Sequence, residues 1–155
     1  MSKLPFKQLN LPPAELKISE KESALYVFDI VRQKSVKLEP EEWVRQHLVH
    51  YLIEHLNYPR GLMSIEMPVD VNSLNQRADI VVYDTNGKPF LLAECKSYSV
   101  DLDSATLQQA IRYNKSIQAD YIILSNGLEH NCLKWNKESG MLKALEAFPD
   151  YVKNN

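Results

Sequence analysis

The chain changes period several times, and each change marks an element. Between residues 24 and 38, Tyr26, Val27, Phe28, Ile30 and Val31 form one strand-like run and Val36 with Leu38 another; polar Arg32-Gln33-Lys34-Ser35 lies between them, which predicts a hairpin. Residues 1–22 are polar, with Pro5, Pro12 and Pro13 scattered among them, and read as an N-terminal surface arm. From Pro40 the period becomes helical. Val44, Leu48, Tyr51, Leu52 and Leu56 share one stripe, and Pro40 with Glu39, Glu41 and Glu42 suits a helix N-terminus. Asn57-Tyr58-Pro59-Arg60-Gly61 stops it. Strand patterns return at 63–71, where Pro68 interrupts a partial alternation, and at 78–84 and 89–95. Asn86-Gly87 between the last two is a strong hairpin signal. Asp103 or Ser104 caps a second helix bearing Leu107, Ala110, Ile111 and Ile117. A strand over 120–124, a short edge strand near 131–135 and a last helix over about 140–148 complete the pattern. The order (ββ)-α-β-β-β-α-β-(β)-α predicts one mixed α/β domain over residues 23–155, without repeats or linkers.

Composition narrows the function. The chain has 155 residues, 45% apolar and 25% charged, as expected of one soluble domain. Four glycines and the lack of a GxxxxGK[ST] run argue against a nucleotide-driven motor, so no nucleotide cofactor is expected. Two cysteines, Cys95 and Cys132, make neither a disulfide framework nor a CxxC. No signal peptide and no stretch of about 18 apolar residues is present. These features predict a soluble cytoplasmic protein with no membrane partner. The formal net charge of −2 gives no sign of a basic nucleic-acid-binding surface.

The 78–95 hairpin carries the chemistry. With Asn86-Gly87 as a two-residue type I′ loop, paired positions sum to 173, so Val81 faces Leu92 and Asp79 faces Glu94. Lys96 and Arg77 then share that face, which is otherwise apolar with Val81, Tyr83, Phe90 and Leu92. Two opposed carboxylates at a partly buried sheet end repel unless a cation joins them. A hard divalent cation is one solution; ion pairs Asp79–Arg77 and Glu94–Lys96 are the other. On the first helix Glu41, unlike Glu42, lies on the Val44/Leu48/Leu52 stripe. On the second, Gln109 and Tyr113 are i,i+4 neighbours, with Arg112 and Lys115 near them.

Asp79-(14 residues)-Glu94-Cys95-Lys96 after a helix bearing Glu41 resembles the PD-(D/E)XK nuclease superfamily, with Ala78 in place of its proline. Residues 40–46, 77–84, 87–89 and 93–96, with Gln109-Ala110-Ile111-Arg112-Tyr113 as a QxxxY element, are similar to the N-terminal nuclease domain of type I restriction enzyme R (HsdR) subunits. The resemblance implies a restriction-endonuclease-like core, a central mixed sheet with order α-β-β-β-α-β flanked by helices, and metal-dependent DNA endonuclease activity. It implies Glu41, Asp79 and Glu94 as ligands of Mg²⁺ or Mn²⁺ and Lys96 as the fourth catalytic residue. It implies Gln109, Tyr113, Arg77 and Arg112 near DNA, and the family's ExxxR spacing favours Glu41, four residues before Arg45. A chain of this length holds one such core without the family's motor, so it is expected either to stand alone or to work with a separate motor or restriction-system subunit. The alternative is an inactive nuclease-fold module that binds nucleic acid or a partner protein. His47, His50 and His55 lack a HExxH context, and His130 and Cys132 lack a second ligand pair, so none is expected to bind zinc.

Overall fold

The structure, a computed structural model, describes residues 4–151; residues 1–3 of the expected arm and 152–155 of the expected domain lie outside it. Three short strands, β1 (Ile18–Lys21), β2 (Ala24–Asp29) and β3 (Lys34–Lys37), form an antiparallel sheet. The predicted hairpin is its second half, and the end of the arm supplies the extra strand. Earlier in the arm Leu9 is buried, and the Asn10 N–H donates to the Gly127 carbonyl at 2.8 Å.

Helix α1 (Pro40–Glu54) follows, with Pro40 in its first turn, and a 3-10 turn, Arg60–Leu62, leads into the larger sheet. Strands β4 (Met63–Val71), β5 (Leu74–Tyr83), β6 (Pro89–Cys95), β7 (Tyr121–Ser125), β8 (His130–Trp135) and β9 (Leu142–Leu145) lie side by side in chain order. All pairs are antiparallel except β6–β7, which helix α2 (Ser104–Ile117) connects as a crossover. Val44, Leu48 and Leu52 of α1 pack with Ile80, Val82, Leu91, Ala93 and Ile123. Tyr113 and Ile117 of α2 pack with Val81 and Leu92, and Ala110 with Ile122 and Leu124. A helix on each face explains why the central strands are apolar on both sides. No helix among the described residues is long and apolar enough to cross a membrane.

The partial alternation of β4 has a conformational cause. Met63 and Ile65 join the α1-side core, whereas Met67 and Val69 join the α2 side, although all four share one parity. The reversal falls at Glu66, whose φ is +54°. On β5 it falls at Asp79, with Ala78 on the α2 side and Ile80 on the α1 side. The register Ile65↔Ile80 and Met67↔Ala78 brackets these two residues. Pro68 stays in the strand, tolerated because β4 is an edge.

The β5–β6 turn differs from the type I′ expectation. Gly87 has φ +80° but Asn86 does not lie in the left-handed region that a type I′ turn requires at both positions. The Gly87 N–H instead donates to the Asp84 carbonyl at 3.0 Å, and the Asp84 side chain accepts from the N–H groups of Asn86 and Lys88. Tyr83 pairs with Pro89, and a bulge between Val82 and Tyr83 shifts the ladder so that Val81 faces Leu92, as expected. The bulge also carries Phe90 to the α1-side core, away from Leu92.

The helix expected over 140–148 is absent; β9 occupies its middle and makes β8 an interior strand. The nine residues from Gly140 to Phe148 are too few for a stable isolated helix. The Asn136 side chain caps the N–H groups of Glu138 and Ser139, Gly140 turns at φ +71°, and the open edge of β8 offers a ladder.

Gly127 has φ +87°, and a Cβ there would lie 2.6 Å from Leu9 Cδ2 and 3.1 Å from Val44 Cγ2. Gly127→Ala is therefore expected to destabilise the fold by about 2 kcal/mol or more, read as a lowered urea midpoint. An unchanged midpoint contradicts the close packing of the arm on α1.

Candidate active site

The site lies where two strands part. Beyond Ile80↔Ala93, β5 keeps its pairing with β4, and β6 keeps its pairing with β7, but the β5–β6 ladder stops. Backbone N–H groups freed at such a fork need acceptors. Glu94 Oε2 accepts from the Asp79 N–H at 3.0 Å, and Asp79 Oδ2 accepts from the Cys95 N–H at 2.7 Å. The two opposed carboxylates thus close the fork reciprocally. Glu94 is 6% exposed. Burial first, then the Asp79 charge and a hydrogen bond between the two side chains, push its carboxyl well above the ordinary range.

A pocket of about 140 Å³ opens here, lined by Glu41, Arg77, Asp79, Glu94, Cys95, Lys96 and Gln109. Every catalytic residue expected from the sequence reaches it. Burial and the Asp79 charge raise the Glu41 carboxyl, with Lys96 and Arg45 opposing. Glu42 points elsewhere, into a buried network: it accepts from Arg45 Nε at 2.9 Å, Arg32 Nη2 at 3.1 Å and Gln46 Nε2 at 3.1 Å. The burial is the reverse of the helical-face expectation: Glu41, expected on the core-facing stripe, is exposed at the pocket, and Glu42, expected to point away, is buried because Arg45 and Arg32 hold it inside. Gln109 Nε2 donates to the Tyr113 hydroxyl at 2.7 Å, and that hydroxyl donates to Gln76 Oε1 at 3.2 Å. Gln109 and Arg112 also line a groove of about 890 Å³ running past Glu41 and Lys96.

Neither expected ion pair, Asp79–Arg77 or Glu94–Lys96, occurs among the described residues. The cation on Asp79 is Arg45, whose Nη1 lies 3.3 Å from Oδ1. Arg45 also meets Glu66 at 3.3 Å, and Arg32 reaches Glu66 at 3.4 Å and Asp29 at 2.8 Å. Burial pulls the Arg45 guanidinium toward neutrality, but its bonds and charge attraction to Glu42, with Asp79 behind them, outweigh this and hold it charged. Glu66 and the cationic role of Arg45 at Asp79 were missed by sequence reasoning; the broken alternation at Glu66 was the available signal. Arg77 Nη1 donates to the Glu66 carbonyl at 3.3 Å. Arg77, Lys96 and Arg112 have no carboxylate partner among the described residues. Lys115, exposed, lines none of these pockets.

The donor set suits a hard cation, since Glu41, Asp79 and Glu94 supply only oxygen. Burial and mutual repulsion of Asp79 and Glu94 also favour added positive charge. Among the described residues, however, no three His, Cys, Asp or Glu side chains are already gathered as a metal cage. Asp79 is turned to Arg45 and the Cys95 N–H. Three of the four histidines are otherwise engaged: His47 Nδ1 with the Trp43 carbonyl, His50 with Glu54, and His130 with Ser125 and Asn10.

This fold and this acidic fork define a class that sequence comparison names. A model of the type I restriction enzyme R protein N terminus (HSDR_N) matches residues 40–149, and the chain belongs to that family. The chain also resembles a solved fragment described as an HsdR subunit of a type I restriction enzyme from Vibrio vulnificus YJ016. The TM-score is 0.53 at 18% identity, covering 73% of this chain and 24% of that one. The chain thus spans about a quarter of that structure. A search of curated proteins finds no matching sequence.

Two outcomes follow from the electrostatics. Glu94 keeps its proton in the fold above its ordinary value of 4.5, where the unfolded chain has lost it. Stability therefore falls as pH rises from about 4.5 through neutrality, and Glu94→Gln removes that slope. Without metal, the variant is expected to melt at least about 3 °C higher at pH 8, measured by differential scanning calorimetry; an equal or lower Tm contradicts the buried acid. Arg45→Ala leaves Asp79 without its cation and Glu42 with Arg32 alone, and is expected to cost about 3 kcal/mol in denaturant unfolding.

Proposed function

We infer that this domain hydrolyses DNA phosphodiesters with a divalent cation at Glu41, Asp79 and Glu94. The observation that carries the reading is the reciprocal closure of the β5–β6 fork by Asp79 and Glu94, in a pocket shared with Glu41 and Lys96. Two carboxylates in that position are costly for stability alone, and their arrangement makes sense as a seat for positive charge. When bound, Mg²⁺ or Mn²⁺ supplies charge neutralisation and Lewis-acid polarisation of a phosphoryl oxygen.

The chain's own residues provide the rest. Lys96, with no internal ion pair, holds the attacking water in line or steadies charge on the phosphoryl oxygens. Arg77 and Arg112 lie on the pocket wall and the groove and meet phosphates on either side of the scissile one. Gln109, fixed by Tyr113, orients the backbone beside the reacting group. Family membership supports action as part of a restriction system, with DNA as substrate.

Wild-type protein incubated with single-stranded, duplex and supercoiled DNA in Mg²⁺ or Mn²⁺ is expected to cleave. Asp79→Ala, Glu94→Ala and Lys96→Ala are each expected to lose roughly 100-fold or more. Wild-type cleavage no greater than that of Glu94→Ala on every substrate overturns autonomous activity and leaves the inactive binding module as the better reading.

A further inference from the structure

A second pocket, of about 210 Å³, lies beside the candidate active site, against the tip of the β4–β5 arm. Its lining includes Asn72, Leu74, Gln76, Gln109, Arg112 and Tyr113. Gln109 lines this pocket, the acidic pocket and the large groove, so the three spaces meet at one side chain. Arg112 is shared with the groove. The tip is built deliberately: Asn72 and Ser73 both have positive φ, 51° and 64°, the backbone of a tight two-residue hairpin turn. That turn places Leu74 on the pocket wall with 62% of its surface exposed.

The polar atoms are half used. Gln76 Oε1 accepts from the Tyr113 hydroxyl, and Gln109 Nε2 donates to the same hydroxyl. Gln76 Nε2, a donor, and Gln109 Oε1, an acceptor, carry no hydrogen bond among the described residues. An apolar wall, a free donor, a free acceptor and an unpaired guanidinium form one set. The volume falls below the roughly 300 Å³ at which pockets begin to enclose drug-sized ligands, so one ring system fits and a base pair does not.

The geometry points to this pocket as a seat for one unpaired nucleobase next to the scissile phosphate. The base lies against Leu74, its edge is read by Gln76 and Gln109, and Arg112 takes its phosphate. The inference rests on the reading of the neighbouring site as one that acts on DNA, and it adds a substrate class: DNA that is single-stranded or locally unpaired at the cut. It also explains why Tyr113 is tied to Gln76 across 37 residues of chain. That hydrogen bond fixes the arm against α2 and holds the pocket's two amides in register.

The test measures binding without cleavage. Full-length protein in EDTA is titrated against fluorescent single-stranded, duplex and abasic single-stranded oligonucleotides of equal length, read by anisotropy. The single strand is expected to bind at least about tenfold tighter than the duplex or the abasic strand, the scale of one base contact. Leu74→Ser, at an exposed position, and Gln76→Ala are each expected to weaken single-strand binding about five- to tenfold, with duplex binding unchanged and melting temperatures checked in parallel. Equal affinity for the abasic strand, no effect of either variant, or no measurable binding of the single strand overturns the proposal. A protein that prefers unpaired bases in EDTA yet never cleaves in Mn²⁺ refutes the nuclease reading and leaves the pocket standing. Cleavage with no base preference does the reverse.

Discussion

The guanidinium of Arg45 sits among three carboxylates drawn from three elements: Glu42 on its own helix, Glu66 on β4 and Asp79 on β5. Without it, helix and sheet would meet through a buried surplus of negative charge, which no amount of apolar contact offsets. With it, α1 is fixed in rotation as well as in place. Glu42 turns inward to Arg45, so Glu41, one residue earlier and about 100° around the helix, faces the pocket instead. The same guanidinium takes Asp79 Oδ1 while the Cys95 N–H takes Oδ2, and the carboxylate is locked against Glu94. The geometry of the acidic pocket therefore depends on an arginine that does not line it.

The fork explains why the acids stand where they do. A strand that pairs with β4 on one side and another that pairs with β7 on the other diverge as the sheet twists. The freed N–H groups could have been capped by water or by a neutral side chain. A carboxylate at Glu94 is pushed well above its ordinary range by burial and by Asp79, a cost that a glutamine there would not carry. Such a locally unfavourable choice, stabilised by everything around it, is the kind of conflict between level and level that marks a functional site.

Period and turn chemistry made much of this legible beforehand. The strands of the hairpin, the first helix and the nearness of Asp79 to Glu94 follow from residue order alone, although the ladder stops at Ile80↔Ala93 and the two acids meet across the fork instead of as a paired position. The Val81↔Leu92 register was reached through a wrong turn type, however. A longer turn closed by the Asp84 side chain shifts the ladder by one residue, and the bulge at Val82/Tyr83 shifts it back. Two local departures cancel because the buried faces of Ile80, Val82, Leu91 and Ala93 tolerate only one register. What could not be read depended on distant partners. Residues 140–148 form a strand because β8 offers an edge; Glu66 reverses a strand because both helices need a face; Gln76 reaches Tyr113 only once the arm has folded over α2.

The formal charge of −2 takes on a location in this light. The inner network holds Asp29, Glu42, Glu66 and Asp79 against Arg32 and Arg45, four negative groups to two positive, a balance equal to that of the whole chain. The excess negative charge thus lies in and beside this network, and the rest of the chain balances to zero formal charge. Against that background, Arg77, Lys96 and Arg112 at the pocket and groove act at short range with no broad basic field behind them. Such a surface does not attract DNA from a distance. Under the proposed function, these cations act only on a phosphate already brought to the fork.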